Sequence, residues 1–179
     1  MAEENQQGAA GANQEGTQEA RMVVQHVYLK DASFEAPNVM ELDQSGSEPE
    51  INLNLSQRTD PVSDDRYHVV LTVTVTAKQG EKTAFLCEVH YAGFFQLVGF
   101  SEQQVSYVLN VLCPNTLFPY CRSQIGNMVS AGGFFLPPLQ AVNFEAVFRQ
   151  RMEEARQQQE GQQEEASAGN GQNPPETEQ

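Results

Sequence analysis

The sequence predicts an α+β domain, a four-stranded antiparallel sheet with helices packed on one face. Three observations predict it. The first half of the chain holds four strand-forming segments, three of them alternating with period two. Two of those are joined by a tight turn signal. The second half changes to apolar residues at helical spacing, and strands followed by helices are the pattern of a layered α+β fold.

Residues 22–36 (MVVQHVYLKDASFEA) are β-prone until Pro37. Residues 50–56 place Ile51, Leu53 and Leu55 on one face and Asn52, Asn54 and Ser56 on the other. Residues 67–78 alternate throughout. Tyr67, Val69, Leu71, Val73, Val75 and Ala77 share one face, and His68, Val70, Thr72, Thr74, Thr76 and Lys78 share the other. After the turn signal Gln79-Gly80, residues 83–92 return, with Thr83, Phe85, Cys87, Val89 and Tyr91 opposite Ala84, Leu86, Glu88, His90 and Ala92. These last two segments form an antiparallel hairpin.

Ser101 with Gln104 fits a capping box and opens a helix carrying Val105, Val108, Leu109 and Leu112. Pro114 and Pro119 predict an interruption, because proline removes a backbone donor. Helix is expected again from Asn115 or Thr116 to about Ser130, with Leu117, Tyr120, Cys121, Ile125, Met128 and Val129 near one stripe, ended by Gly132-Gly133. Asn143 is a good N-cap for a last helix bearing Phe144, Val147, Phe148 and Met152. Residues 1–20 and 157–179, rich in Gln, Glu, Gly and Ala, read as disordered acidic tails around a domain over 21–156.

The charge excludes several partners. Against 24 acidic residues stand 10 basic ones, a formal net charge of −14. Nucleic acid or an anionic membrane as chief partner needs Lys/Arg clusters that are missing here. Residues 31–102 alone hold twelve acidic and four basic residues, so acidity gathers in the strand half. No run of about 18 apolar residues marks a membrane span. Residues 1–20 lack the basic start and apolar stretch of a signal peptide. Cys87, Cys113 and Cys121 fit neither a disulfide framework nor a zinc motif, so they read as free thiols in a reducing cytosol. The expectation is a cytoplasmic protein.

No catalytic constellation emerges. Gly80-Glu81-Lys82-Thr83 ends like a phosphate-binding loop but lacks the upstream glycine and lies in a hairpin turn. His26, His68 and His90 fall on strands and read as solvated side chains, and Asp64-Asp65 as a solvated loop pair rather than a metal site. The expectation is therefore a binding protein, not an enzyme, without cofactor or metal. The apolar content points the same way. Phe94, Phe95, Phe100, Phe118, Phe134, Phe135, Leu136, Leu139, Phe144 and Phe148 are too many to hide behind one four-stranded sheet. The excess predicts an oligomer interface, a hydrophobic groove, or both.

The segments KDASFEAPN (30–38), DDRYHVVLTVTVTA (64–77), KTAFLCEVHYAGFF (82–95) and VLCPNTLFPYCRSQIGNMVSAGGFFLPPLQAVNF (111–144) resemble the SecB family in order and spacing, across roughly residues 21–156. The resemblance implies an ATP-independent holdase, a homotetramer built as a dimer of dimers. Such a protein binds unfolded precursor proteins and delivers them to SecA. It implies that Asp31, Glu35, Leu86 and Glu88 bind the zinc-binding C-terminal tail domain of SecA. Parity agrees, since Asp31 and Glu35 share a face of one strand and Leu86 and Glu88 a face of another. Cys87, Val89 and Tyr91 match positions that affect assembly. The client groove is expected along the crossover, the Phe134–Leu139 loop and the last helix, with Met40, Leu42, Phe134, Phe135, Leu139, Phe144 and Phe148 as lining. The crossover VMELDQSGSEP (39–49) departs from relatives that often carry aromatic residues there, and the chain has no Trp. Besides an unrecognised hydrolase, a distant reading that lacks a nucleophile–base pair, two other readings compete. One is an adaptor that recruits a single folded partner. The other is a SecB-like chaperone dedicated to a toxin–antitoxin pair. Slowing the aggregation of an unfolded protein without ATP separates the holdase from the adaptor.

Overall fold

A computed structural model describes residues 19–42 and 49–168, with side chains described as far as residue 158. Expectations about residues 1–18, 43–48 and 169–179 lie outside the described residues. Four strands, β1 (Arg21–Glu35), β2 (Glu50–Ser63), β3 (Arg66–Gln79) and β4 (Lys82–Val98), form one antiparallel sheet in the order β1-β4-β3-β2. The hairpin β3–β4 turns through Gly80-Glu81, with Gln79 paired to Lys82. Both outer strands run as expected in type, but two strands are longer than their alternation suggests. β2 continues past Ser56 through Pro61, which an edge strand accepts because one side of its backbone needs no ladder donor. β4 continues past Ala92 and buries Phe95 and Leu97.

The helical half departs from the expected break. α1 (Glu102–Tyr107) begins at the capping box, with Ser101 Oγ accepting from Gln104 N and Ser101 N donating to Gln104 Oε1. It runs without interruption through a π-helical segment (Val108–Leu112) into α2 (Cys113–Ala131). The wider turn lies just ahead of Pro114. A π turn directs each N–H to the carbonyl five residues back. Pro114 has none to give, so the carbonyl left short is that of Leu109. Gln57 Nε2, reaching over from β2, donates to Leu109 O at 3.0 Å. The proline is thus absorbed by a change of helix type and a side chain from the sheet.

α2 lies across the inner face of the sheet. Cys113, Leu117, Cys121, Ile125 and Val129, spaced every fourth residue, are all fully buried. An i+4 row is inclined to the helix axis, which suits a twisted sheet beneath it. Facing it are Val69, Leu71, Val73, Val75 and Ala77 of β3 with Phe85, Cys87 and Val89 of β4. α2 ends in a Schellman motif. Gly133, at φ +81°, donates to Ser130 O, and Phe134 N donates to Val129 O. α3 (Phe144–Ala168) starts at Asn143, whose Oδ1 accepts from Ala146 N at 3.0 Å. Its backbone stays helical past residue 157, where the apolar stripe has stopped. Ala, Glu, Gln and Arg favour helix without any packing partner.

Candidate functional site

The outward face of the sheet carries the polar side chains. The pairing of β1 with β4 sets Glu35 opposite Leu86, Ser33 opposite Glu88 and Asp31 opposite His90. Directly opposed residues point to the same face, and their diagonal neighbours stand about 7–8 Å apart. Asp31, Glu35, Leu86 and Glu88 therefore form one patch, with Glu88 diagonal to both other carboxylates. Asp31 and Glu35 are exposed, while Leu86 and Glu88 are half-buried. A bulge at Lys30, between the pairs Leu29–Tyr91 and Asp31–His90, turns Asp31 outward on the same side as Tyr28.

Glu88 is held from two sides. Thr74 Oγ1 on β3 donates to its Oε2 at 2.7 Å, and His90 Nε2 lies 2.9 Å from its Oε1. His90 Nδ1 is in turn 3.0 Å from Thr72 Oγ1. The Thr74 hydroxyl, with His90 second, holds the Glu88 carboxyl below the usual carboxylate range. The sequence alone marks His90 as a solvated histidine and gives no role to Thr72 and Thr74. The available signal was parity, because His90 follows Glu88 by two and the threonines share their face.

A second cluster occupies the other end of the outward face. Tyr28 lies between His26 and His68, with ring centroids 5.4 and 6.2 Å away, and His68 sits 4.8 Å from Phe94. The Tyr28 hydroxyl and His68 Nε2 are 3.0 Å apart. Two of the three strand histidines are thus half-buried and hydrogen-bonded rather than simply solvated. Asp65 is structural: its Oδ2 accepts from Gln96 Nε2 at 2.6 Å and its carbonyl from Leu97 N. Among the described residues no group of three His, Cys, Asp or Glu side chains converges on a common point.

Two of the three positions expected to govern assembly lie inside the chain. Cys87 and Val89 are fully buried beneath α2, while Tyr91 is half-buried with its ring tilted against Tyr120 at 5.6 Å. Burial pushes the thiols of Cys87 and Cys121 up to about 11 and that of Cys113 up to about 12. They are inert core side chains, as the sequence suggested.

The groove residues divide. Met40 (96% exposed) and Phe135 (81%) stand in solvent. Leu139 lines a cleft of about 540 Å³ with Leu136, Pro119, Arg122 and Asn127, between α2 and the following loop. Leu42 is half-buried against the core. Phe134 is not a loop ring free to meet a ligand. The Schellman motif turns it back onto Phe85 and Phe34, at centroid distances of 5.2 and 6.1 Å. Phe144 is buried edge-on to Phe118, and Phe148 lies against Tyr107, both away from the Leu139 cleft. Amphipathic helices place their large apolar residues inward first, so these two serve the core and its rim.

Comparison with known proteins gives a consistent picture. The family model described as preprotein translocase subunit SecB matches residues 15–155. A protein-export protein SecB from Alkalilimnicola ehrlichii is 43% identical over 165 residues, covering 91% of this chain and 88% of the relative. Another from Hydrogenovibrio crunogenus is 42% identical over 139 residues, covering 78% and 93%. Among solved structures, a SecB-like chaperone from Mycobacterium tuberculosis, bound to a peptide of the HigA1 antitoxin, superposes with a TM-score of 0.50. It covers 68% of this chain and 90% of that one at 14% identity. That likeness establishes the fold.

Proposed function

Because this chain belongs to the SecB family of preprotein-export chaperones, we propose that it holds unfolded precursors in the cytosol without ATP and docks on SecA. The docking surface is the outward patch of Asp31, Glu35, Leu86 and Glu88. The family is one of chaperones, and the chain's role is in preprotein export. What supports this docking surface is the β1–β4 register, which gathers three carboxylates around one half-buried leucine. A plain solvated sheet face accounts for isolated carboxylates but not for Leu86 among them. One exposed ion pair contributes only about 0.2–1 kcal/mol. Several together set register and speed a salt-sensitive encounter with a basic partner such as the zinc-binding tail of SecA.

Clients are held at the other surface. Met40, Phe135 and the Leu139 cleft offer exposed apolar area without a fixed sequence code, each contact contributing about 25 cal/mol per Å² buried. Assembly into a homotetramer, as a dimer of dimers, draws on Val23, Val24 and Leu29 of edge strand β1 and on Tyr107, Leu112 and Tyr120 of the helical layer, all exposed in the single chain. A stable interface buries roughly 800 Å² per partner. Light scattering that finds a monomer at micromolar concentration overturns this assembly.

The docking test is calorimetry with the zinc-loaded SecA tail. Asp31→Lys or Glu88→Lys is expected to abolish binding while leaving tetramer and client holding intact. Unchanged affinity in both places the docking site elsewhere.

A further inference from the structure

We propose that His90 is a positioning residue of the docking patch, clamping the Glu88 carboxylate toward its partner and making docking sensitive to protons. The inference rests on the docking reading above and adds a residue and a regulation to it.

The hydrogen-bond set has one consistent arrangement when the imidazole is neutral. Thr72 Oγ1 donates to His90 Nδ1, and His90 Nε2 donates to Glu88 Oε1, while Thr74 Oγ1 donates to Glu88 Oε2. Each carboxylate oxygen of Glu88 then has one fixed donor, and the side chain loses its rotational freedom before any partner arrives. Ordering a carboxylate in advance removes a cost that docking otherwise bears. Among the described residues, Asp31 and Glu35 have no such frame from a neighbouring strand: Asp31 Oδ1 accepts from the adjacent Ala32 N. Glu88 is therefore the pre-aimed charge of the patch, and His90 is one of the two groups that aim it.

The groups facing His90 are Glu88 on its own strand, Thr72 on β3 and Asp31 opposite it on β1. No cation is among them. A proton taken up by His90 places a positive charge between two of the docking carboxylates. A basic partner then meets a less negative patch, so affinity falls as pH falls. Glu88 does not produce this change itself, since Thr74 and His90 keep it ionised below the ordinary carboxylate range. By linkage, a partner that binds better to neutral His90 must expel a proton when it binds to the protonated form.

The experiment titrates the full chain with the zinc-loaded SecA tail peptide by calorimetry from about pH 5.5 to 8, the interval in which histidine changes charge. Buffers of different ionisation heat report protons released. Wild-type binding is expected to weaken roughly two- to five-fold toward the acid end, the range of a single exposed ion pair, with protons released on binding. His90→Gln is expected to remove both the proton release and the weakening toward the acid end that wild type shows. His90→Phe is expected to bind more weakly even at pH 8, because Glu88 loses its second donor. Circular dichroism checks that both variants fold. If His90→Gln releases protons and titrates as wild type does, while Glu88→Lys abolishes binding, the role of His90 is overturned and the docking site stands. If Glu88→Lys binds like wild type at pH 8, the docking reading fails and the inference with it.

Discussion

The two faces of the β3–β4 hairpin share one backbone and one period and do opposite things. Inward, Val73, Val75, Phe85, Cys87 and Val89 are fully buried under α2, and every one is apolar. Outward, Thr72, Thr74, Leu86, Glu88 and His90 are half-exposed and, Leu86 aside, bonded to one another across the strands. The inner face derives its strength from close packing, where any change of volume or charge is felt throughout. The outer face derives its order from a few directed hydrogen bonds still in reach of water. Substitutions outside can therefore alter binding without unfolding the chain, whereas substitutions inside cannot.

The most severe test of that contrast is Val89→Asp. It places a carboxylate in the apolar cluster under α2 and should cost about 4 kcal/mol or more, read by urea denaturation. Loss of the proposed tetramer should follow from loss of the core, not from a broken contact surface. A variant of wild-type stability that only dissociates would show that Val89 reaches the interface directly.

Next in size is a pair of neighbours. Phe134→Ser removes a ring packed on Phe34 and Phe85 and should lower stability by about 2–3 kcal/mol. Phe135→Ser, in solvent, should change stability by less than about 0.5 kcal/mol yet weaken retention of an unfolded client. Equal thermal midpoints for the two would refute the burial contrast. Gly132 belongs to the same corner. A side chain there meets the ring of Phe34, so Gly132→Val should destabilise by the same displacement.

Smaller still is Gln57→Leu, which strips the donor from Leu109 O in the π segment and should cost about 1 kcal/mol. Hydrogen exchange localised to the π-helical segment would register it.

Least costly is Thr74→Val on the outer face. Glu88 has a depressed folded value, so its contribution is present above the ordinary carboxylate range and is lost as pH falls through the depressed value. Removing the Thr74 hydroxyl should move the Glu88 titration upward, measured by carboxyl NMR, with little change in the unfolding midpoint. An unmoved titration would mean that His90 alone orients Glu88.

Much of this molecule follows from local pattern. Period-two alternation in residues 67–78 and 83–92, the capping box at Ser101 and the cap at Asn143 all name their structures, because each depends on neighbours within a few residues. The parities that put Asp31 with Glu35 and Leu86 with Glu88 are local in the same sense. Tertiary structure alone decided the rest. The adjacency of β1 and β4, which turns two separate pairs into one patch, is a pairing of distant segments. So is the grip of Thr74 on Glu88, and so is the Gln57 donor that lets the helix pass Pro114. Phe134 and Phe135 look alike in sequence, yet a Schellman turn packs one against the core and leaves the other in water. Short-range propensity sets which face a residue takes. Which distant partner meets that face depends on the packing of the whole chain.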